Sequence, residues 1–233
     1  MPVLYVVATP IGNLSDITLR ALKTLKEASL IATEDTRKTR RLLNAYNIET
    51  PMTSYYEHNK LTKLAYIIEQ ISKGDVALVS EAGIPGISDP GYELIKEAIR
   101  QRITVVPIPG VSALTTALVV SGLPTDRFVF LGFLPARVQA RRRFLKEAAD
   151  EKSTLIVYEA PHRLLASLAD ILKELGNRRI AVCRELTKLH EEIFRGTISE
   201  AIAHFTIPRG EHTLVIEGAV NKPEAIPAHD IES

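Results

Sequence analysis

Residues 75–91 read DVALVSEAGIPGISDPG. Two carboxylates, Glu81 and Asp89, stand in a stretch shaped by Gly83, Gly86, Gly91, Pro85 and Pro90. The apolar run 76–79 precedes it, and a helical pattern follows from Tyr92. A strand running into such a loop ahead of a helix is how open α/β sheets build ligand crevices at their carboxyl ends. The loop holds no lysine or arginine, so it is not built mainly to neutralise phosphate. Backbone N–H groups in a nest or at a helix start can bind a carboxylate without a cation.

Two more strand-end loops have the same character: TPIGNLSD at 9–16 and PGVSA at 109–113. Parallel neighbouring strands would bring all three to one sheet edge. Glu34-Asp35-Thr36-Arg37 and Tyr56-Glu57-His58-Asn59 mix acids or imidazole with donors at helix starts. Asp35 and Asn59 are good cap types, so capping and chemistry are both open for these segments. Basic clusters fall at 37–41 and 137–146, the second holding Arg141, Arg142 and Arg143. A basic helix face is usually solvated surface; two on a nearly neutral chain point to local phosphate contacts, with salt-sensitive binding.

Several chemistries are disfavoured. There is no G-x-x-x-x-G-K-[ST] phosphate loop, and the first strand leads into TPIGN rather than G-x-G-x-x-G. No Cys/His set has metal spacing, and GVSA at 110–113 is not a G-x-S-x-G elbow. Phosphate cofactors, metals and serine hydrolysis are the classes set aside.

The elements that must position these residues follow from periodicity. Apolar, β-branched runs at 3–8, 30–33, 76–79, 103–108, 128–131, 154–158, 180–183 and 213–216 read as strands. Most are apolar on both faces, as a sheet covered on both sides requires. Helical faces alternate with them: Ile17, Ala21, Leu25 and Ala28; Leu61, Leu64, Ala65, Ile68 and Ile71; and Leu164, Leu168, Ile171, Leu172 and Leu175. Pro161 and Gly176 bracket the last of these, and Asp89-Pro90 suits an N-cap and first turn. The class is α/β with a largely parallel sheet. The turn-rich SGLPTD at 121–126 divides a first domain, 1–122, from a second, 125–220, and the polar tail 221–233 reads as disordered. At 233 residues, with Lys+Arg 29 against Asp+Glu 28, a strongly nucleic-acid-coating protein is disfavoured. Lone Cys183 in an apolar run reads as an inert core thiol in a reduced, cytosolic setting. No apolar run is long enough to span a bilayer.

The segments YVVATPIGNLSDIT, ATEDTRKTRRLL, ALVSEAGIPGISDPGYELI, PIPGVSAL, GLPTDRFVFLGFLP, YEAPHRL and CRELTKLHEEIFRG, in this order, resemble the bacterial 16S rRNA (cytidine-2′-O)-methyltransferase I family. That family belongs to the tetrapyrrole methylase superfamily, class III S-adenosylmethionine-dependent methyltransferases. The resemblance runs over residues 4–220. It implies two α/β domains of the tetrapyrrole methylase type with the cofactor cleft between them, a homodimer, and a cytoplasmic enzyme acting on the small ribosomal subunit. Pro10, Ser80, Glu81, Ala82, Gly83, Ser112, Ala113, Tyr158, Glu159, Leu186, His212 and Thr213 are the cofactor positions it implies. Glu34, Asp35, Arg37 and His58 are the implied catalytic candidates. Asn59, Asp89 and Arg163, with Arg141 and Arg142 of the basic cluster, are the substrate-side candidates.

The chemistry agrees with that resemblance. S-adenosylmethionine carries a carboxylate, an ammonium and an activated methyl, with no phosphate, so lysine-free glycine loops suit it and no metal is required. A neutral ribose 2′-OH is a poor nucleophile and wants a base or a cation at the developing alkoxide. Glu34, Asp35 or His58 would serve as base and Arg37 as stabiliser. The cytidine must be splayed out of its RNA context to react. A tetrapyrrole or other small-molecule methyltransferase, and a non-catalytic RNA-binding factor on the same fold, are the competing readings. Family members commonly continue past the last strand into a basic helical segment. A chain ending at Ser233 is therefore expected to hold cofactor and engage RNA weakly, or to be a short member.

Overall fold

The computed structural model describes residues 2–56 and 60–220, without the side chains of Lys60 and Leu61. The first half alternates strand and helix: β1 (Val3–Val7), α1 (Leu19–Glu27), β2 (Leu30–Thr33), α2 (Thr36–Ala45), β3 (Met52–Ser54), α3 (Lys60–Lys73), β4 (Val76–Val79), α4 (Tyr92–Arg100), β5 (Thr104–Ile108) and α5 (Ala113–Ser121). The strands lie in the order β3-β2-β4-β1-β5, and each pairing is parallel. Alternate residues of one strand feed two cores. Leu30, Ala32, Val76 and Leu78 pack with Ile67 and Ile71 of α3 and Leu94 and Ala98 of α4. Ile31, Ala77 and Val79 pack with Ala21 and Leu25 of α1 and Leu43 of α2. Two covered faces are why these strands read as unbroken apolar runs.

The second half holds β6 (Phe128–Phe133), α6 (Val138–Glu147), β7 (Thr154–Glu159), α7 (Leu164–Leu175), β8 (Arg179–Arg184), β9 (Glu192–Thr197), α8 (Ile198–His204) and β10 (His212–Ile216). Its sheet runs β6-β7-β10-β8-β9. β6 and β7 are parallel, whereas β10 runs antiparallel to β7. The largely parallel expectation therefore holds for the first sheet and gives way in the second, which is mixed. Leu155, Val157, Leu214 and Ile216 share one core with Leu145, Leu164, Leu168, Ile171 and Ile198. Gly176 closes α7 at φ +83°, where an L side chain would be strained.

The chain divides into two compact units, residues up to Val120 with Cys183–Ile193, and Ser121–Val182 with the residues from Phe194 on. Cys183 is buried at the end of the apolar run of β8. The tail 221–233 lies outside the described residues. Strands β3 and β9 are additions to the eight runs read from sequence. Helix α4 corrects another expectation: its N-cap is Gly91 and makes no side-chain cap, while Asp89 turns inward and accepts from the Gly86 N–H.

Candidate functional site

Parallel pairing of β1, β4, β2 and β5 brings their following loops to one sheet edge. Thr9 N–H donates to Gly83 O at 2.9 Å and Gly83 N–H to Thr9 O at 3.0 Å, lacing the loop after β1 to the loop after β4. Gly83 sits at φ +82°, which glycine adopts without steric cost. Ser80 is buried beneath this bridge, and Glu81 and Ala82 are exposed on it. Just past the neighbouring strand β5, Gly110 passes so close to Ala8 that a Cβ there would stand 3.0 Å from the Ala8 Cβ. The chain then enters α5 through Ser112, whose carbonyl accepts from Thr116 N–H at 3.0 Å. The first N–H groups of α5, from Ala113, thus open that helix.

Glu34 stands at the end of β2, beside this edge. Burial pushes its carboxyl up, and the charges of Glu81 and Asp89 push it further, against Lys38 and a hydrogen bond from Glu81 N–H. Asp89 is raised to about 6, chiefly by burial, although the Gly86 N–H, the Ser80 hydroxyl and the Ile87 N–H all stabilise its charge. Glu34, Glu81 and Asp89, far apart in sequence, therefore form one acidic cluster. Lys38, from the first turns of α2, reaches back and pairs with Glu81. Sequence reading had placed Lys38 only within a basic stretch. Its signal was its place three residues after the cap, which aims it along α2 at the edge.

Asp35 caps α2, accepting from Arg37 N–H at 2.7 Å and Lys38 N–H at 3.4 Å. Those bonds, led by the Arg37 amide, hold its carboxyl below the ordinary range. A carboxylate so stabilised is a poor base, so the open choice for Asp35 resolves toward capping. Under the cap, Thr33 and Thr39 share a buried 2.5 Å hydroxyl contact that fixes the turn carrying Glu34. Arg37 is almost fully exposed, its Nε 3.5 Å from Asp35. His58 and Asn59 lie outside the described residues. Pro10 is half-buried in the loop after β1. Leu186 is buried between Glu185 at φ +50° and Thr187 at φ +68°, two left-handed non-glycine residues. Such strain, of order 1–3 kcal/mol each, collects at ligand-holding loops. In the same unit the Lys188 chain covers Gly12, where a Cβ would meet Lys188 Cε at 2.9 Å.

In the second unit Tyr158 and Glu159 end β7, opposite Thr213 and His212 of β10. His212 and Thr213 are buried. The Glu159 carboxylate is buried and committed: it accepts from Ser167, from Ala160 N–H at 2.9 Å, and pairs with Arg163 Nε at 3.2 Å. Arg163 also donates to Leu134 O and Pro135 O. These bonds tie a loop down and leave the guanidinium mostly buried, whereas the resemblance implied a substrate-side residue. Arg141 needs the same correction. It is 3% exposed and joins Asp170, its Nε at 2.7 Å. Burial opposes charge on Asp170, but hydrogen bonds from Arg142 and Arg141 outweigh it and lower its carboxyl. Arg142 shares Asp170 at 2.7 Å and is partly exposed. The exposed cations of α6 are Arg143 and Lys146, following Arg137 at its N-cap.

No group of three or more His, Cys, Asp or Glu with metal-binding geometry occurs among the described residues. No helix among them is long and apolar enough to cross a membrane.

The family described as Tetrapyrrole (Corrin/Porphyrin) Methylases matches residues 3–202. The chain is 54% identical, over 95% of its length and 78% of the relative's, to "Ribosomal RNA small subunit methyltransferase I" of Halalkalibacterium halodurans. It is 51% identical to the protein of that name from Thermotoga maritima, covering 92% of this chain and 98% of that one. Among solved structures it resembles uroporphyrin-III-C-methyltransferase from Thermus thermophilus at a TM-score of 0.66 and 17% identity, over 92% of this chain and 94% of that one. Cobalt precorrin-4 methyltransferase gives a TM-score of 0.67 at 16% identity, over 91% of this chain and 94% of that one. At such identity these two establish likeness of fold.

Proposed function

We propose, from the premise that this chain belongs to the tetrapyrrole (corrin/porphyrin) methylases and among them to the ribosomal RNA small subunit methyltransferase I group, that it methylates the 2′-hydroxyl of a cytidine in the decoding region of 16S rRNA. The observation that carries this reading is identity at about half of all positions, over nearly the whole chain, to relatives bearing that name. S-adenosylmethionine, when bound, supplies a methyl already activated by its sulfonium.

The residues present fit that cofactor. Three lysine-free loops meet at one sheet edge, where the exposed Glu81 carboxylate already holds one ammonium, that of Lys38. The opening turn of α5 offers N–H groups to a carboxylate, and the glycine-built turns at Gly83 and Gly110 keep side chains out of the way. Pro10, Ser80, Ala82, Gly83 and Ser112 belong to these loops and Ala113 opens α5, and Leu186 is a cofactor candidate on the family resemblance alone. Tyr158, His212 and Thr213 are cofactor-side candidates on the family resemblance alone.

Asp89, with a pKa near neutrality, is the base that accepts the 2′-OH proton. Burial keeps that pKa high, and Lys38 draws the neighbouring Glu34 down against the push of Glu81 and Asp89. Exposed Arg37 is our candidate for a phosphate or the developing alkoxide, and His58 and Asn59 are candidates on the family resemblance alone. The family relationship further suggests a cytoplasmic homodimer.

The experiment is incubation with labelled S-adenosylmethionine and, separately, undermethylated small subunits, free 16S rRNA and tetrapyrroles. Label in a cytidine ribose of the subunit is the expected result. Label in a tetrapyrrole alone, or in no acceptor, overturns the proposal.

A further inference from the structure

Strand β6 is an edge strand, and its end is irregular. Phe128, Val129 and Phe130 pair in step with Thr154, Leu155 and Ile156 of β7, but Tyr158 is met by Phe133. Unbroken pairing would set Gly132 opposite Tyr158. One extra residue has been inserted, with Gly132 at φ +66°. This is a β-bulge, and bulges re-aim side chains. Without it Phe133 would point to the face whose Leu155 and Val157 are buried in the helix-covered core. With it, Phe133 stands on the opposite face beside Tyr158, ring centroids 5.7 Å apart, and Phe130 meets the same ring at 4.9 Å.

The outcome is an exposed aromatic surface. Phe133 is 53% exposed and Phe128 42%. A device that takes a phenylalanine from a core-facing to an outward-facing position sacrifices burial, so the exposed ring has a use. The loop behind it is stiff, because Arg163 holds both Leu134 O and Pro135 O. That loop carries exposed Arg137, four residues on from Phe133 and at the N-cap of α6. Aromatic faces beside exposed cations are how proteins hold single-stranded nucleic acid. The ring stacks a base and the cations meet phosphates.

We infer that Phe133, backed by Tyr158 and Phe130, is a base-stacking platform for a single-stranded segment of the RNA substrate, with Arg137 as a phosphate contact. The inference rests on the RNA reading proposed above. The occupant is an RNA base; the adenine of S-adenosylmethionine and a second copy of the chain are the alternatives that the test separates.

The chain contains no tryptophan. Phe133→Trp therefore creates a single indole reporter, which a stacked base quenches. Full-length protein carrying Phe133→Trp is titrated with an unstructured cytidine-rich RNA of about ten nucleotides, with S-adenosylmethionine alone, and by raising protein concentration alone. Saturable quenching by RNA, weakened by salt, is expected, with neither of the other titrations changing emission. Phe133→Ala should weaken RNA binding about 5- to 100-fold, with cofactor affinity and thermal midpoint unchanged, and Phe133→Tyr should restore it. No quenching by RNA, quenching by cofactor alone, or quenching on self-association each overturns the platform. Methyl transfer by the unsubstituted protein is measured alongside. Transfer without quenching removes the platform alone, and quenching without transfer removes the proposed activity and leaves the platform.

Discussion

Asp89→Asn should make the protein more stable and less active at once. The substitution removes the charge at the centre of the acidic cluster and keeps an oxygen to accept from the Gly86 N–H. Burial raises the Asp89 carboxyl from its ordinary 3.8 to about 6. Taken at full weight, ionising such a group costs the folded state about 3 kcal/mol. Asp89 is only partly buried, and solvent screening leaves about 1–2 kcal/mol. The sign follows from proton binding. The folded protein holds this proton more tightly than the unfolded chain, so the cost is absent below pH 3.8 and complete above about pH 6. Near pH 8 the variant should gain about 1–2 kcal/mol, or roughly 2–8 °C in thermal midpoint for a chain of this size. Near pH 4 the gain should almost vanish. Single-turnover methyl transfer should fall by about 100-fold or more, the usual loss on deleting a general base. Thermal unfolding of both proteins across pH in low salt, beside the transfer assay, checks the two halves separately. A lower midpoint than the parent near pH 8, or a gain as large near pH 4, would refute the electrostatic argument.

Other substitutions probe the remaining parts of the site. Lys38→Met removes the cation that holds Glu34 down, so the Glu34 carboxyl, followed by NMR, should titrate at higher pH; a move to lower pH contradicts the assigned cluster. Gly83→Val forces a β-branched residue to φ +82° in the loop laced to Thr9. It should abolish calorimetrically measured S-adenosylmethionine binding while the far-ultraviolet dichroism persists. Arg141→Met leaves buried Asp170 with Arg142 alone and should cost about 3 kcal/mol in urea unfolding. Arg143→Gln, on exposed surface, should leave stability within about 0.5 kcal/mol and lower the slope of log affinity for RNA against log salt by about 1.

Strands buried on both faces announce themselves in sequence, because nothing polar can occupy them; β2 and β4 are cases where every residue is buried. The two strands that escaped notice, β3 and β9, are both at sheet edges, where burial is partial and polar residues are tolerated. Strand direction left no local trace either, so antiparallel β10 read like its parallel neighbours. At the site, the glycine loops were legible because backbone shape constrains residue type. The Lys38–Glu81 pair was not, since it spans 43 residues and exists only because β2 lies beside β4. Arg141 carried a weak signal that was passed over: it sits one helical turn before Leu145, and both are buried on the same face of α6.

The place of β10 governs how the second sheet must be assembled. The last strand among the described residues, β10, is the middle strand of its sheet, lying between β7 and β8. During synthesis the first sheet has all five strands once Ile108 has emerged. The second remains two separate ribbons, β6-β7 and β8-β9, until residues 212–216 arrive to zip them together. Until then β7 and β8 each present an unpaired, apolar edge, the kind that recruits stray strands. A chain cut just ahead of His212 would lose five residues of strand and with them the whole join, and should aggregate rather than fold in part.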